Sequence, residues 1–183
     1  GIGSIKTYRG ATPRVIISGG INVTASDVRI KGISVGSSSF TISGGANQVF
    51  EDCVGGSNSF GYGSPASGTY INCVGGNFSF GASNTSASGS FSNCTAGSSS
   101  FGYTGTASGT FNNCISGNYG FGYVATTSGT FTNCVGGNNC FGDSGTANGI
   151  FMYCKSGSSF PSLSGSGKTR LCIDGSYNVI NAG

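Results

Sequence analysis

The stretch Gly109-Thr110-Phe111-Asn112-Asn113-Cys114-Ile115-Ser116-Gly117-Asn118-Tyr119-Gly120-Phe121-Gly122-Tyr123 is followed, twenty residues on, by Gly129-Thr130-Phe131-Thr132-Asn133-Cys134. The same spacing recurs outward in both directions. One series runs Phe40, Phe60, Phe80, Phe101, Phe121, Phe141 and Phe160. A second runs Ile30, Phe50, Tyr70, Phe91, Phe111, Phe131, Phe151 and Leu171. A third, of cysteines, runs Cys53, Cys73, Cys94, Cys114, Cys134 and Cys154, with Asn72, Asn93, Asn113 or Asn133 before the inner members. The chain is a repeat array, and repeats are read before secondary structure because they dictate it.

A period near twenty is too short for two-helix repeats, which take roughly 33 to 47 residues. Glycine fills 36 of 183 positions, a density that opposes helix. Short β-prone pieces alternate with Gly/Ser/Asn corners. The economical fold is all-β: a parallel β-solenoid with about twenty residues per coil, stacked so that hydrogen bonds run along its axis. Residues 21–160 are expected to form the coils. Residues 1–20 would be an N-terminal cap or joint, and 161–183 a C-terminal connection and terminal strand. Atypical, charged segments at both ends suit caps on edges that would otherwise invite strand addition.

Charge placement agrees. No charged residue occurs from Cys53 to Gly142, although the chain carries 8 Lys+Arg and 5 Asp+Glu. In a stack, a charge repeated at one position would face its like about 4.8 Å away, which destabilises a sheet. A net charge of +3 without basic clusters is no nucleic-acid footprint. No apolar run reaches the ~20 residues of a membrane span.

The two aromatic series are expected to form the interior, with Ala66, Ala87, Ala107 and Ala147 filling a third wall. Strict alternation from Phe111 would turn Cys114 outward and Ile115 inward. Lys155 occupies the Ile115 position in another coil, however, and a lysine is almost never buried unpaired. A corner at the asparagine, which tolerates the left-handed region, leaves cysteine inward and the Val/Ile/Thr/Lys position outward. Vertically stacked cysteines have parallel Cβ vectors, unsuited to disulfides, so a ladder of free buried thiols is expected. Cys140 and Cys172 fall outside this series. Cys140 stands where other coils have Ser59, Ser79, Ser100 or Gly120, and is expected to be exposed. With no histidine and no Cys-x-x-Cys pair, neither metal nor cofactor is expected.

The rows of phenylalanine, the corner asparagines and the coil length resemble the right-handed parallel β-helix of the pectin-lyase-like superfamily. Within it, the F-x-N-C-x-x-G-x-x-S-F-G unit is similar to repeats of bacteriophage tail fibres and tailspike-type proteins. The resemblance implies an extracellular or virion-surface fibre, often trimeric, that contacts a surface glycan. Some members cleave polysaccharides with paired carboxylates. Here Glu51–Asp52 is the one close acidic pair, and neighbours on a strand point to opposite faces, so an enzyme is not expected.

The outward residues carry the functional expectations. Two residues after the first Phe series stand Tyr62, Ala82, Tyr103, Tyr123 and Asp143. The tyrosines Tyr62, Tyr103 and Tyr123 would stack against sugar rings of a cell-surface polysaccharide or pack against a neighbouring chain. Val54, Val74, Thr95, Ile115 and Val135 form an apolar strip of the kind that marks an interaction site, here for a homo-oligomer, trimer or filament. Ice binding through Thr69, Ser90, Thr110, Thr130 and Ile150 is a weaker reading of an imperfect row.

Overall fold

A computed structural model describes residues 15–42, 47–158, 160 and 167–182. Most of the segment 1–20 and the connection 161–166 lie outside the described residues. Among the described residues there is no helix, and the chain winds into about seven parallel coils.

Each coil presents three β walls. The first is a nine-stranded sheet whose parallel part starts at Arg29–Lys31 and passes through Val49–Glu51, Thr69–Ile71, Ser90–Ser92, Thr110–Asn112, Thr130–Thr132 and Ile150–Met152 to Lys168–Ile173. Register follows the sequence period: Phe50 pairs with Tyr70, Tyr70 with Phe91, Phe91 with Phe111, and Phe111 with Phe131. The last strand, Val179–Ala182, pairs antiparallel to Lys168–Ile173 and ends the parallel run. The second wall links Ser34, Val54, Val74 and Thr95 by parallel bridges, then Ile115, Val135, Lys155 and Ile173. The third stacks Ala66, Ala87, Ala107 and Thr127.

Between the walls stand two files of rings. Neighbours within a file stack with near-parallel planes, centroids from 4.7 Å apart for Phe111–Phe131 to 5.3 Å for Phe50–Tyr70 and Phe141–Phe160. Rings of different files meet edge to face, as in Phe101–Phe111 at 5.7 Å and 87°. Both geometries suit the ring quadrupole, and each buried ring adds about 1.5–3 kcal/mol by leaving water. The interior is thin, but every coil repeats it.

The corner asparagines behave as their side chains allow. Asn72, Asn93, Asn113 and Asn133 all have φ of 53°, and Gly32, Asp52, Tyr153 and Leu171 fill the same corner at the ends, with φ of 50° to 68°. Their amides form a ladder: Asn72 Nδ2 donates to Asp52 Oδ1 at 2.9 Å, Asn93 to Asn72 at 3.2 Å, and Asn113 to Asn93 at 3.1 Å. The corner turns the following cysteine inward.

A second left-handed turn was not apparent from composition. Phe60, Phe80, Phe101, Phe121 and Phe141 have φ between 50° and 61°, as do, close to that range, the residues two before them: Asn58, Phe78, Ser99, Tyr119 and Asn139. The double turn drives each phenylalanine into the core and swings the residue two before it away from the phenylalanine's path.

The close approach of successive coils explains part of the glycine content. A Cβ on Gly109 would lie 2.1 Å from the carbonyl oxygen of Gly89 in the preceding coil. No larger residue fits there without moving backbone.

Three expectations need correction. Leu171 does not continue the second aromatic file; Thr169 pairs with Phe151, and Leu171 takes the exposed corner. The last coil is two residues short, which brings Cys172 into the cysteine file after all, with its Sγ 3.4 Å from Phe151 O. Cys140 is fully buried rather than exposed. The serines at its position are buried too: Ser59 Oγ accepts from Phe40 N, and Ser100 Oγ accepts from Ser79 N. Cys140 Sγ takes over that role, accepting from Gly120 N at 3.3 Å. A serine that serves the backbone of the neighbouring coil is not a surface serine, and residue type alone does not tell the two apart.

Candidate functional site

The thiol files are structural. Cys53, Cys73, Cys94, Cys114, Cys134, Cys154 and Cys172 are free and buried. Each sulfur lies near a carbonyl of the preceding coil, as in Cys73 Sγ–Phe50 O and Cys114 Sγ–Phe91 O, both 3.4 Å. Burial pushes the Cys140 thiol up to about 12, which makes that thiol a poor nucleophile in the folded chain. Among the described residues no group of His, Cys, Asp and Glu is arranged to hold a metal ion.

The acidic pair is engaged at the N-terminal end. Glu51 accepts from Arg29 Nη2 at 2.6 Å and from Lys31 Nζ. Lys31 lies 3.6 Å from Asp52, whose Oδ1 also takes the Asn72 amide. These hydrogen bonds, first that from Lys31, lower the Glu51 pKa below the usual carboxylate range. Opposite charges in successive coils relieve the like-charge problem that keeps the middle of the chain neutral.

The exposed aromatic surface is the feature that stands out. Tyr62 is 45% exposed, Phe78 40% and Tyr119 39%, with Tyr103 and Tyr123 half-buried beside them. The rings touch in sequence: Tyr62–Phe78 at 6.4 Å, Phe78–Tyr103 at 6.2 Å, and Tyr103–Tyr119 at 6.3 Å. Tyr123 closes the run, stacked on Tyr103 at 5.9 Å and edge-on to Tyr119 at 4.8 Å. Sequence reading named three of these five. Ala82, placed in the same outward row, is fully buried, and the ring of Phe78 bridges Tyr62 and Tyr103 across the coil that lacks a tyrosine. Phe78 and Tyr119 were missed because their row reads Asn58, Phe78, Ser99, Tyr119, Asn139. The asparagines in it were the available signal for a left-handed, outward turn.

The apolar strip also faces out. Val74, Ile115 and Val135 are exposed, as is Thr95, and Val54 is half-buried. Tyrosine ladder and strip are separate rows, each continuous over several coils.

Fold and surface together define a class, a parallel β-solenoid with an aromatic-files core and an exposed aromatic ladder. No protein-family model, curated protein or solved structure matches the chain.

Proposed function

We propose that this solenoid is a non-enzymatic structural and adhesive rod, part of a phage tail fibre or a similar extracellular surface fibre that contacts glycans. The observation that carries this reading is the ladder of Tyr62, Phe78, Tyr103, Tyr119 and Tyr123, five touching rings open to solvent across successive coils. Apolar ring faces with hydroxyls at their rims suit the faces and hydroxyls of sugars. Axial hydrogen bonds and two files of stacked rings supply stiffness, the other need of a fibre. The engagement of Glu51 and Asp52 with Arg29, Lys31 and Asn72 favours a structural role for those carboxylates over glycoside hydrolysis, which needs two of them converging on one bond. The likeness to pectin-lyase-like β-helices and tailspike-type repeats supports the fibre context.

The test compares wild type with Tyr103→Ala and Tyr123→Ala for binding to glycan arrays and whole cells. Tyr103 and Tyr123 are half-buried on the outer surface, and melting curves of both variants check that the fold survives the change. Lost binding supports the reading; unchanged binding in both variants removes it.

A second reading is lateral or end-to-end self-association, as trimer or filament, favoured by the strip of Val74, Thr95, Ile115 and Val135. Isolated short rods in electron micrographs, sedimenting as single chains, argue against it. Long uniform fibres argue for it.

A further inference from the structure

We infer that the aromatic ladder takes an uncharged polysaccharide laid parallel to the solenoid axis, with Phe78 and Tyr119 among its binding residues. The inference rests on the adhesive reading above and names its ligand class.

Direction comes from the order of the rings. Tyr62, Tyr103 and Tyr123 sit at one position of three coils, with Ala82 at that position in the coil between the first two, and Phe78 and Tyr119 fill the steps between the tyrosines. From the coil of Tyr62 to that of Tyr123 is three coil steps, about 14 Å at ~4.8 Å each. The apolar track is therefore long along the axis and narrow across it. A polymer crossing the rod would meet one or two rings, whereas one running along it meets all five.

Charge sets the class. The ninety residues from Cys53 to Gly142, which contain the whole ladder, carry no Lys, Arg, Asp or Glu. The first charge beyond the ladder is Asp143, whose Oδ2 accepts from Asn139 Nδ2 at 2.9 Å. A carboxylated or sulfated glycan would find no cation along the track and an anion at its end. A neutral sugar needs only ring faces and amide or hydroxyl partners, and these are in place. Exposed Asn77 and Asn118 directly precede Phe78 and Tyr119. Each is held by its own Oδ1, which accepts the backbone N–H of the next coil at 2.8 Å: Ser98 for Asn77 and Asn138 for Asn118. Fixed in this way, the exposed side chains next to these rings in sequence keep their amide NH2 donors for a ligand at little further entropy cost.

The chain supplies its own control substitutions. Asn58 and Asn139 occupy the Phe78 and Tyr119 position with φ of 60° and 57°, so Phe78→Asn and Tyr119→Asn remove a ring without straining the turn. The experiment prints neutral and anionic glycans of graded chain length and measures binding of wild type and both variants at low and high salt. The expected result is neutral hits only. Their affinity should rise with chain length, stay level with salt, and fall about tenfold in each variant, or 1.4 kcal/mol, with melting curves unchanged. Hits confined to anionic glycans and fading with salt overturn the inference while leaving the adhesive reading standing. So does an affinity that stops rising after a single sugar. An array with no hits overturns both.

Discussion

Ser116 and Gly120 are a complementary pair: a Cβ on Gly120 would lie 1.8 Å from Ser116 Oγ and 2.5 Å from its Cβ. Other coils place the bulk the other way round. There the pairs are Gly75 with Ser79 and Gly136 with Cys140, where a Cβ on the glycine would meet the partner's Cβ at 2.7 Å and 2.6 Å. In these three coils one side chain fills the turn, from either position, while the coil of Ala96 and Ser100 holds a methyl beside the serine.

The pair makes a double-mutant prediction. Gly120→Ser alone overfills the turn and is expected to cost about 1–3 kcal/mol. Adding Ser116→Gly recreates the Gly75/Ser79 arrangement, in which the buried serine hydroxyl is unpartnered just as that of Ser116 is, so relief of the overlap is what the double variant reports. Urea denaturation of the two single variants and the double should give a coupling energy of about 1–2 kcal/mol. Additive effects would refute the shared-space account.

Tyr70 is the one tyrosine in the second ring file, and its hydroxyl is buried without a partner. Burial accordingly raises its pKa. Phe91, Phe111 and Phe131 show that phenylalanine fits the file. Tyr70→Phe is expected to stabilise the chain by about 1 kcal/mol, read as a higher urea midpoint at unchanged slope.

The asparagine corner separates backbone from side-chain contributions. At Asn113, with φ of 53°, alanine suffers the left-handed penalty of roughly 1–2 kcal/mol and loses the amide bond to Asn93. Glycine loses the bond and some backbone entropy but suffers no left-handed penalty. Asn113→Gly should therefore melt above Asn113→Ala, and the reverse order would show that the corner conformation is not what asparagine supplies.

The buried Cys140 thiol predicts alkaline lability. Cys140 is raised to about 12 by burial, against an unfolded value near 8.5. The fold prefers the neutral thiol, so this stability is fully present below about pH 8.5 and is lost as pH rises towards 12. Cys140→Ser, which copies Ser100, should keep the fold and flatten the fall in stability by up to about 1.4 kcal/mol per pH unit. Melting temperatures taken from neutral to alkaline pH check the sign. A thiol reagent should label none of the cysteines before unfolding.

The files of Phe and Cys were legible because a twenty-residue period maps directly onto register: Phe91 and Phe111 are partners in sequence and in space. The outward turn at Phe78 was not legible, because phenylalanine gives no hint of left-handed backbone and the decisive asparagines, Asn58 and Asn139, lie four coils apart. Cys140 misled for a different reason. Its row is polar, and a polar row in a solenoid can face the backbone of the next coil as well as water. Cys172 escaped the file because the last coil is short, which no repeat count reveals without the pairing of Met152 with Arg170.

Far-UV circular dichroism of a chain lacking residues 89–108, one full coil joined Ser88 to Gly109, tests the stacking most directly. Each coil contacts its neighbours and little else, so removing one whole unit should leave the β spectrum and a cooperative, somewhat lower melting transition. An unfolded spectrum for that variant would contradict the account.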